Sequence, residues 1–153
     1  RVEAVRGEYE ATRQIAGFSS EHTGHYGWHG FADGSDDADH AAKAEGGLDR
    51  ARDLLEAAAD ADLTEPLALD GEPQAGVHML LLDEGLYAAN RDLIDPADLV
   101  DLVESKPADL ELICTGGHER PTYLDDHADL VSEGRKQRHP IDAGQRARTG
   151  TEF

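Results

Sequence analysis

Val77-His78-Met79-Leu80-Leu81-Leu82-Asp83-Glu84 is the stretch on which the fold turns. From Val77 to Leu82 the run is almost wholly apolar. Such a run marks a strand buried on both faces of a parallel sheet, where the usual alternation of polar and apolar side chains disappears. It stops abruptly at two carboxylates. A second apolar strand, Leu110 to Cys114, ends in Thr115-Gly116-Gly117. Between them a helix is expected to start at Asp95-Pro96, where Asp caps and Pro takes the first helical position. It runs through Leu99, Val100, Leu102 and Val103 to Lys106-Pro107. Pro121 to Ala128 reads as a further helix and Asp129 to Ser132 as a third short strand. Strands alternating with helices of this length form an α/β layered architecture. Right-handed crossovers place the loops that follow the strands on one edge of the sheet, and ligands of such sheets bind beyond that edge. The edge carries Asp83-Glu84 and Thr115-Gly116.

N-terminal to this core, residues 1–14 are charged and read as a short helix. Gly17 to Gly34 holds five glycines and half of the aromatics, and reads as a long loop, a class that inside compact domains tends to be functional. Asp36 to Asp62 reads as one long helix, because Leu48, Ala51, Leu54, Leu55, Ala58 and Ala59 recur at helical spacing. Ser35 or Asp36 is its expected cap. Residues 63–76, with Pro66, Gly71, Pro73 and Gly76, read as a surface connection. The tail from Arg135 to Phe153 is basic and rich in Gly. The 153 residues are expected to form a single domain.

The chain carries 33 acidic and 14 basic side chains, a formal charge of −19 with histidine neutral. Such a surface repels a phosphate backbone, so nucleic acid and anionic membranes are excluded as main partners. No stretch approaches the roughly 18 apolar residues of a membrane span, and no signal peptide is expected. Cys114 stands alone, which excludes a disulfide within these residues and a cysteine-based zinc site, and fits a reducing cytoplasm. Only Lys43, Lys106 and Lys136 stand beside eleven arginines. That imbalance, with abundant Asp and Ala, points to adaptation to a salt-rich cytoplasm rather than to an ordinary acidic protein.

Met79-Leu80-Leu81-Leu82-Asp83-Glu84 has the form of a Walker B segment. The buried strand fixes the backbone, and the first polar residues past its end present carboxylates to a magnesium ion on a nucleotide. The bland alternative is a buried strand that happens to end in acids. Thr115-Gly116-Gly117 could face a terminal phosphate or be a simple turn. A phosphate loop of the form Gly-x-x-x-x-Gly-Lys-Ser/Thr is missing, since no Gly-Lys pair occurs. His22, His25 and His29 fall at a spacing that could hold zinc, although a glycine-rich loop does not fix their geometry. Solvated loop histidines are the competing reading.

Four blocks together carry a resemblance. They are Leu82-Asp83-Glu84 with Tyr87, Thr115-Gly116, Ala128-Asp129-Leu130-Val131-Ser132-Glu133, and the tail from His139-Pro140 through Gly144, Ala147 and Gly150 to Glu152-Phe153. In order and spacing they resemble the P-loop type of ATP:corrinoid adenosyltransferase across residues 15–153. The resemblance implies a three-layer RecA-like α/β fold whose first strand, phosphate loop and first helix precede Arg1. It implies transfer of the 5′-deoxyadenosyl group of ATP to the cobalt of a reduced corrinoid, with tripolyphosphate leaving, in adenosylcobalamin biosynthesis or salvage. Magnesium or manganese would assist, a flavoprotein would act as reductant, and a homodimer or other self-association is expected. By matching position, Asp83 and Glu84 would hold the metal, and Thr115 and Gly116 would line the phosphate end. Gly17-Phe18-Ser19 matches the start of the family's Gly-Phe-Thr/Ser-Trp segment, which would place Gly17 and Phe18 over the corrinoid. Ser20 stands where the family has Trp, leaving Trp28 or Tyr26 to substitute. Gly117 replaces a common Arg, leaving His118 or Arg120 to compensate. Arg135, Lys136, Arg138, Arg146 and Arg148 gather in the tail near the expected ligand edge, with Arg138 as a candidate contact. Gly85 and Gly134 stand where the family carries bulky apolar residues, which costs core packing if a cavity is left and little if the positions are tolerant.

Two other readings compete. A truncated, non-catalytic relative would bind corrinoid or a protein partner without ATP. A generic P-loop ATPase would leave the tail and the aromatic loop unexplained.

Overall fold

The computed structural model describes residues 7–23, 37–61, 78–117 and 119–145. They form two compact units: one spans Arg1–His22 with Ser132–Phe153, the other Thr23–Val131.

In the first unit α1 (Gly7–Thr12) covers the described part of the helix expected over residues 1–14 and gives way to a turn at Arg13 and Gln14; residues 1–6 lie outside the described residues. A single 3-10 turn, Pro140–Ala143, interrupts the tail. His139 starts this turn by accepting the Ile141 N–H at its Nδ1, 3.1 Å away, and Gly144 closes it in the left-handed conformation.

The second unit holds the layered core. Helix α2 (Asp37–Ala59) confirms the long helix, while its expected cap, Ser35 or Asp36, lies outside the described residues. Its buried seam is Leu48, Ala51, Leu55 and Ala58. These positions alternate in steps of three and four, so they share one face. Strand β1 (Met79–Leu82) pairs in parallel with β2 (Glu111–Cys114), with Leu80 opposite Leu112 and Leu82 opposite Cys114. Two helices cross between them: α3 (Gly85–Asn90) and α4 (Pro96–Ser105). Helix α4 starts as its sequence dictates, with Pro96 at its first position and Asp95 Oδ1 accepting the Ala97 N–H at 2.9 Å. Leu99 and Leu102 of α4, Ala89 of α3, Ile94 and Leu110 complete the core with the α2 seam. Leu80, Leu82 and Leu112 pack against it from the sheet. Arg52 of α2 reaches both Asp49 and Asp98 of α4, tying the two helices at their half-exposed rim.

Several expectations need correction. The strands are covered on one face only: Met79 is 58% exposed, Leu81 48% and Ile113 39%, and all lie on the face opposite the core. Pro121 to Ala128 is a series of turns rather than a helix, and Asp129 to Ser132 forms no strand. Tyr123 is the residue of that segment that packs on the core. His127 Nδ1, 2.9 Å from Glu104 Oε1, ties it to α4. At Gly85 and Gly134, where the sequence leaves both a cavity and tolerance open, the contacts favour tolerance. A Cβ on Gly85 would already touch Leu82 Cβ at 3.2 Å, and at Gly134 it would project into open space. The connection over 63–76 lies outside the described residues.

Candidate functional site

The carboxyl ends of β1 and β2 are stitched to each other by Thr115. Its backbone continues the parallel ladder, with Thr115 N donating to Leu82 O at 3.1 Å, and its carbonyl accepts from Leu86 N at 3.0 Å. Its hydroxyl donates to Asp83 Oδ1 at 2.7 Å and accepts from Glu84 N at 3.1 Å. One side chain therefore orients the first carboxylate and anchors the backbone of the second. Glu84 sits in the left-handed region at φ 62° and caps α3 without a side-chain bond. A non-glycine residue held there costs about 1–3 kcal/mol, and the surrounding contacts must enforce it. Gly116, at φ +118°, allows the close approach: a Cβ would lie 2.9 Å from Glu84 Cα and from Tyr87 N.

Asp83 and Glu84 are both exposed at this edge. Among the described residues no contact claims Asp83 Oδ2, so an oxygen of that carboxylate remains for a cation. No cluster of three or more metal-ligating side chains occurs among the described residues. Two carboxylates and a hydroxyl suit magnesium, which keeps several waters and takes one or two carboxylates beside substrate phosphates. The donor set fits that ion better than zinc. Of the candidate zinc histidines, His25 and His29 lie outside the described residues.

The expected site residues fall into three groups. Asp83, Glu84, Thr115 and Gly116 come together at the sheet edge, and Arg120 follows on the loop after β2. Arg120 Nη2 donates to Asp125 Oδ2 at 2.7 Å. Gly17, Phe18 and Arg138 belong to the other unit. Gly17, at φ +74°, ends a turn that displays Phe18, which is 45% exposed. Arg138 is exposed and makes no ion pair among the described residues. Its neighbours are paired: Arg135 with Glu133 at 2.9 Å and Lys136 with Asp142 at 3.0 Å. The Lys136 hydrogen bond holds the Asp142 carboxyl below the usual carboxylate range. Trp28, Tyr26, His118, Arg146 and Arg148 lie outside the described residues.

Sequence reasoning missed helix α3 and, with it, Asn90. This half-buried side chain donates from Nδ2 to Glu119 O at 2.9 Å. It also missed Asp125 as the partner of Arg120. The signal for α3 was faint, because six residues cannot show a helical period. No helix among the described residues is long and apolar enough to cross a membrane.

A curated corrinoid adenosyltransferase from Sinorhizobium sp is 35% identical over 106 residues, which is 69% of this chain and 47% of that protein. The chain thus spans about half the length of the curated relative it matches. The family model described as ATP:corrinoid adenosyltransferase BtuR/CobO/CobP matches residues 2–153. A match running almost end to end means that this chain belongs to the ATP:corrinoid adenosyltransferase family.

Proposed function

We propose that this chain transfers the 5′-deoxyadenosyl group of ATP to the cobalt of a reduced corrinoid, with tripolyphosphate as the leaving group, on a three-layer RecA-like fold in the cytoplasm. The observation that carries the reading is the stitched end of two parallel strands, where Thr115 holds Asp83 and the Glu84 backbone in place. Reduced cobalt is itself a strong nucleophile, so the protein needs no nucleophile of its own. Its tasks are to hold cobalt and the 5′ carbon in line and to balance charge on the departing phosphates.

Asp83 and Glu84 would hold magnesium or manganese, directly or through water. The bound ion supplies positive charge beside the phosphate oxygens. Thr115 orients Asp83 from behind, and Gly116, with no side chain, lets the phosphate end of the loop lie against Glu84 and Tyr87. Arg120 would add a cation to the phosphate end, and Arg138 another. Phe18, with Gly17 giving its turn, would pack on the corrinoid, and Trp28 would add a second aromatic surface. A flavoprotein is the proposed electron donor, and self-association through a dimer the proposed assembly.

The test is the full gene product carrying these 153 residues, mixed with ATP, magnesium and chemically reduced corrinoid. Appearance of the adenosylcorrinoid spectrum is expected, with Asp83→Ala and Glu84→Ala each lowering the rate at least tenfold. No adenosylcorrinoid from the folded wild-type protein refutes the reading.

One observation favours a second reading, a non-catalytic corrinoid- or partner-binding relative: no Gly-Lys pair, the core of a phosphate loop, occurs within residues 1–153. Calorimetric titration with magnesium–ATP separates the two, since micromolar binding is incompatible with a relative that takes no nucleotide.

A further inference from the structure

The loop after β2 lies lengthwise along α3, and it is fastened at both ends. At the near end the Thr115 carbonyl accepts the Leu86 N–H, and Gly116 presses on the backbone of Glu84 and Tyr87. At the far end Asn90, the last residue of α3, donates its carboxamide N–H to the Glu119 carbonyl. Gly117 shows how close that fit is. It stands at φ +91°, and a Cβ there would meet Asn90 Nδ2 at 2.9 Å and Glu119 O at 3.1 Å. The Asn90 carboxamide thus fills the space that the root of a side chain at 117 would take.

The residue after Glu119 is Arg120. Its guanidinium is held by Asp125, but its backbone starts from the point that Asn90 fixes. Without that tie, the described residues between Gly116 and Tyr123 would be held by the Arg120–Asp125 pair and their own turns.

We propose that Asn90 is a positioning residue: its carboxamide latches the loop after β2 to the end of α3 and thereby fixes where Arg120 meets the triphosphate of ATP. This rests on the reading that Arg120 faces the phosphates. Asn90 touches neither substrate nor metal in this scheme. It removes the loop motion that Arg120 would otherwise lose on binding, a pre-organisation effect confined to one substrate.

The experiment is a double-mutant cycle in the full gene product, reading the KM for ATP, the KM for corrinoid and kcat. Arg120→Ala is expected to raise the ATP KM about tenfold or more, as loss of a charge-assisted contact does. Asn90→Ala is expected to raise it about three- to tenfold, with the corrinoid KM unchanged and kcat within about twofold. Asn90→Asp, which keeps the shape and removes the donor, should show the same split and guards against a folding defect. The variant carrying both Asn90→Ala and Arg120→Ala should match Arg120→Ala alone within about twofold, since coupled residues do not add. A raised ATP KM in Arg120→Ala, with Asn90→Ala either like wild type or fully additive, overturns the latch and leaves the proposed reaction standing. Equal loss for both substrates in the Asn90 variants also overturns it, because that is the mark of a purely structural role. An unchanged ATP KM in Arg120→Ala overturns the phosphate assignment of Arg120 and the inference with it.

Discussion

Replacing Gly116 with alanine is expected to destabilise the protein by about 2–6 kcal/mol, and the geometry explains why. Two effects add. The residue sits at φ +118°, where an L side chain is strained by about 1–3 kcal/mol. Its new Cβ would also lie 2.9 Å from Glu84 Cα and from Tyr87 N, and 3.1 Å from Glu84 Oε2. The carboxylate can swing away at little cost, but the other two atoms belong to the backbone of the first turn of α3. That turn is fixed by the bonds of Glu84 N and Leu86 N to Thr115. Relief requires β2 and α3 to separate, and overpacking of this kind costs about 1–3 kcal/mol.

Gly134→Ala is the matched control. Nothing lies within 4 Å of its Cβ position, and an exposed substitution of that kind stays within about 0.5 kcal/mol. Urea unfolding followed by far-ultraviolet circular dichroism reads both. At a slope of about 2 kcal/mol per molar, the Gly116 variant should lose roughly 1–3 M in its midpoint, and the Gly134 variant almost nothing. Equal midpoints for the Gly116 variant and wild type would refute the packing of the loop against α3. The Asn90 latch, which depends on the same packing, would then lose its support.

Leu102→Ala should cost about 2–5 kcal/mol by opening a cavity in the core, whereas Leu130→Ala, at a position 84% exposed, should leave the urea midpoint within error. Tyr123→Phe removes a buried hydroxyl that has no hydrogen-bond partner among the described residues. An unsatisfied buried polar group costs about 1–3 kcal/mol, so Tm should hold or rise, and a clear fall would show that the hydroxyl is satisfied in solution. Burial raises the Cys114 thiol above its usual pKa, so the native state binds that proton more tightly than the unfolded chain does. Its contribution to stability is complete below the unfolded value and is lost as pH rises through the folded one. Wild type should therefore lose urea stability faster than Cys114→Ala between pH 8 and pH 10 (about the range of the ordinary thiol value), and identical slopes would contradict the burial.

What was legible in the sequence was whatever had a local physical cause. Asp95-Pro96 specifies the start of α4 by itself, because a capping carboxylate and a ring-fixed φ need no distant partner. The seam of α2 is legible through its period. The errors share a different origin. Leu130 and Val131 have the composition of a strand, but a strand exists only where another backbone completes its ladder, and among the described residues none does so there. Tyr-Leu-Asp-Asp-His at 123–127 has helical composition, yet it is bound by side chains that reach elsewhere, His127 to Glu104 and Arg120 to Asp125. The run over 77–82 promised burial on both faces, and the sequence alone could not show that Leu81 and Ile113, paired in register, would stand together on an uncovered face. At the site, the acids and the Thr-Gly pair were legible as types. The hydroxyl bridge between them was not, because it joins residues 32 apart in sequence.

The formal charge of −19 bears on how an anionic substrate would reach this edge. Among the described residues Arg120, on the loop after β2, is matched to Asp125; in the other unit Arg135 is matched to Glu133 and Lys136 to Asp142. The Arg120–Asp125 pair is largely exposed and is worth little in stability, on the order of 0–1 kcal/mol. A bare triphosphate would meet Asp83 and Glu84 as like charges. A triphosphate carrying a divalent ion would meet the same two residues as ligands, because the ion takes up their charge. Under the proposed function the acidic surface therefore selects the metal complex of ATP over free ATP. Arg120 is then a cation that leaves Asp125 for the phosphates at small cost, since an exposed pair gives up little when it opens.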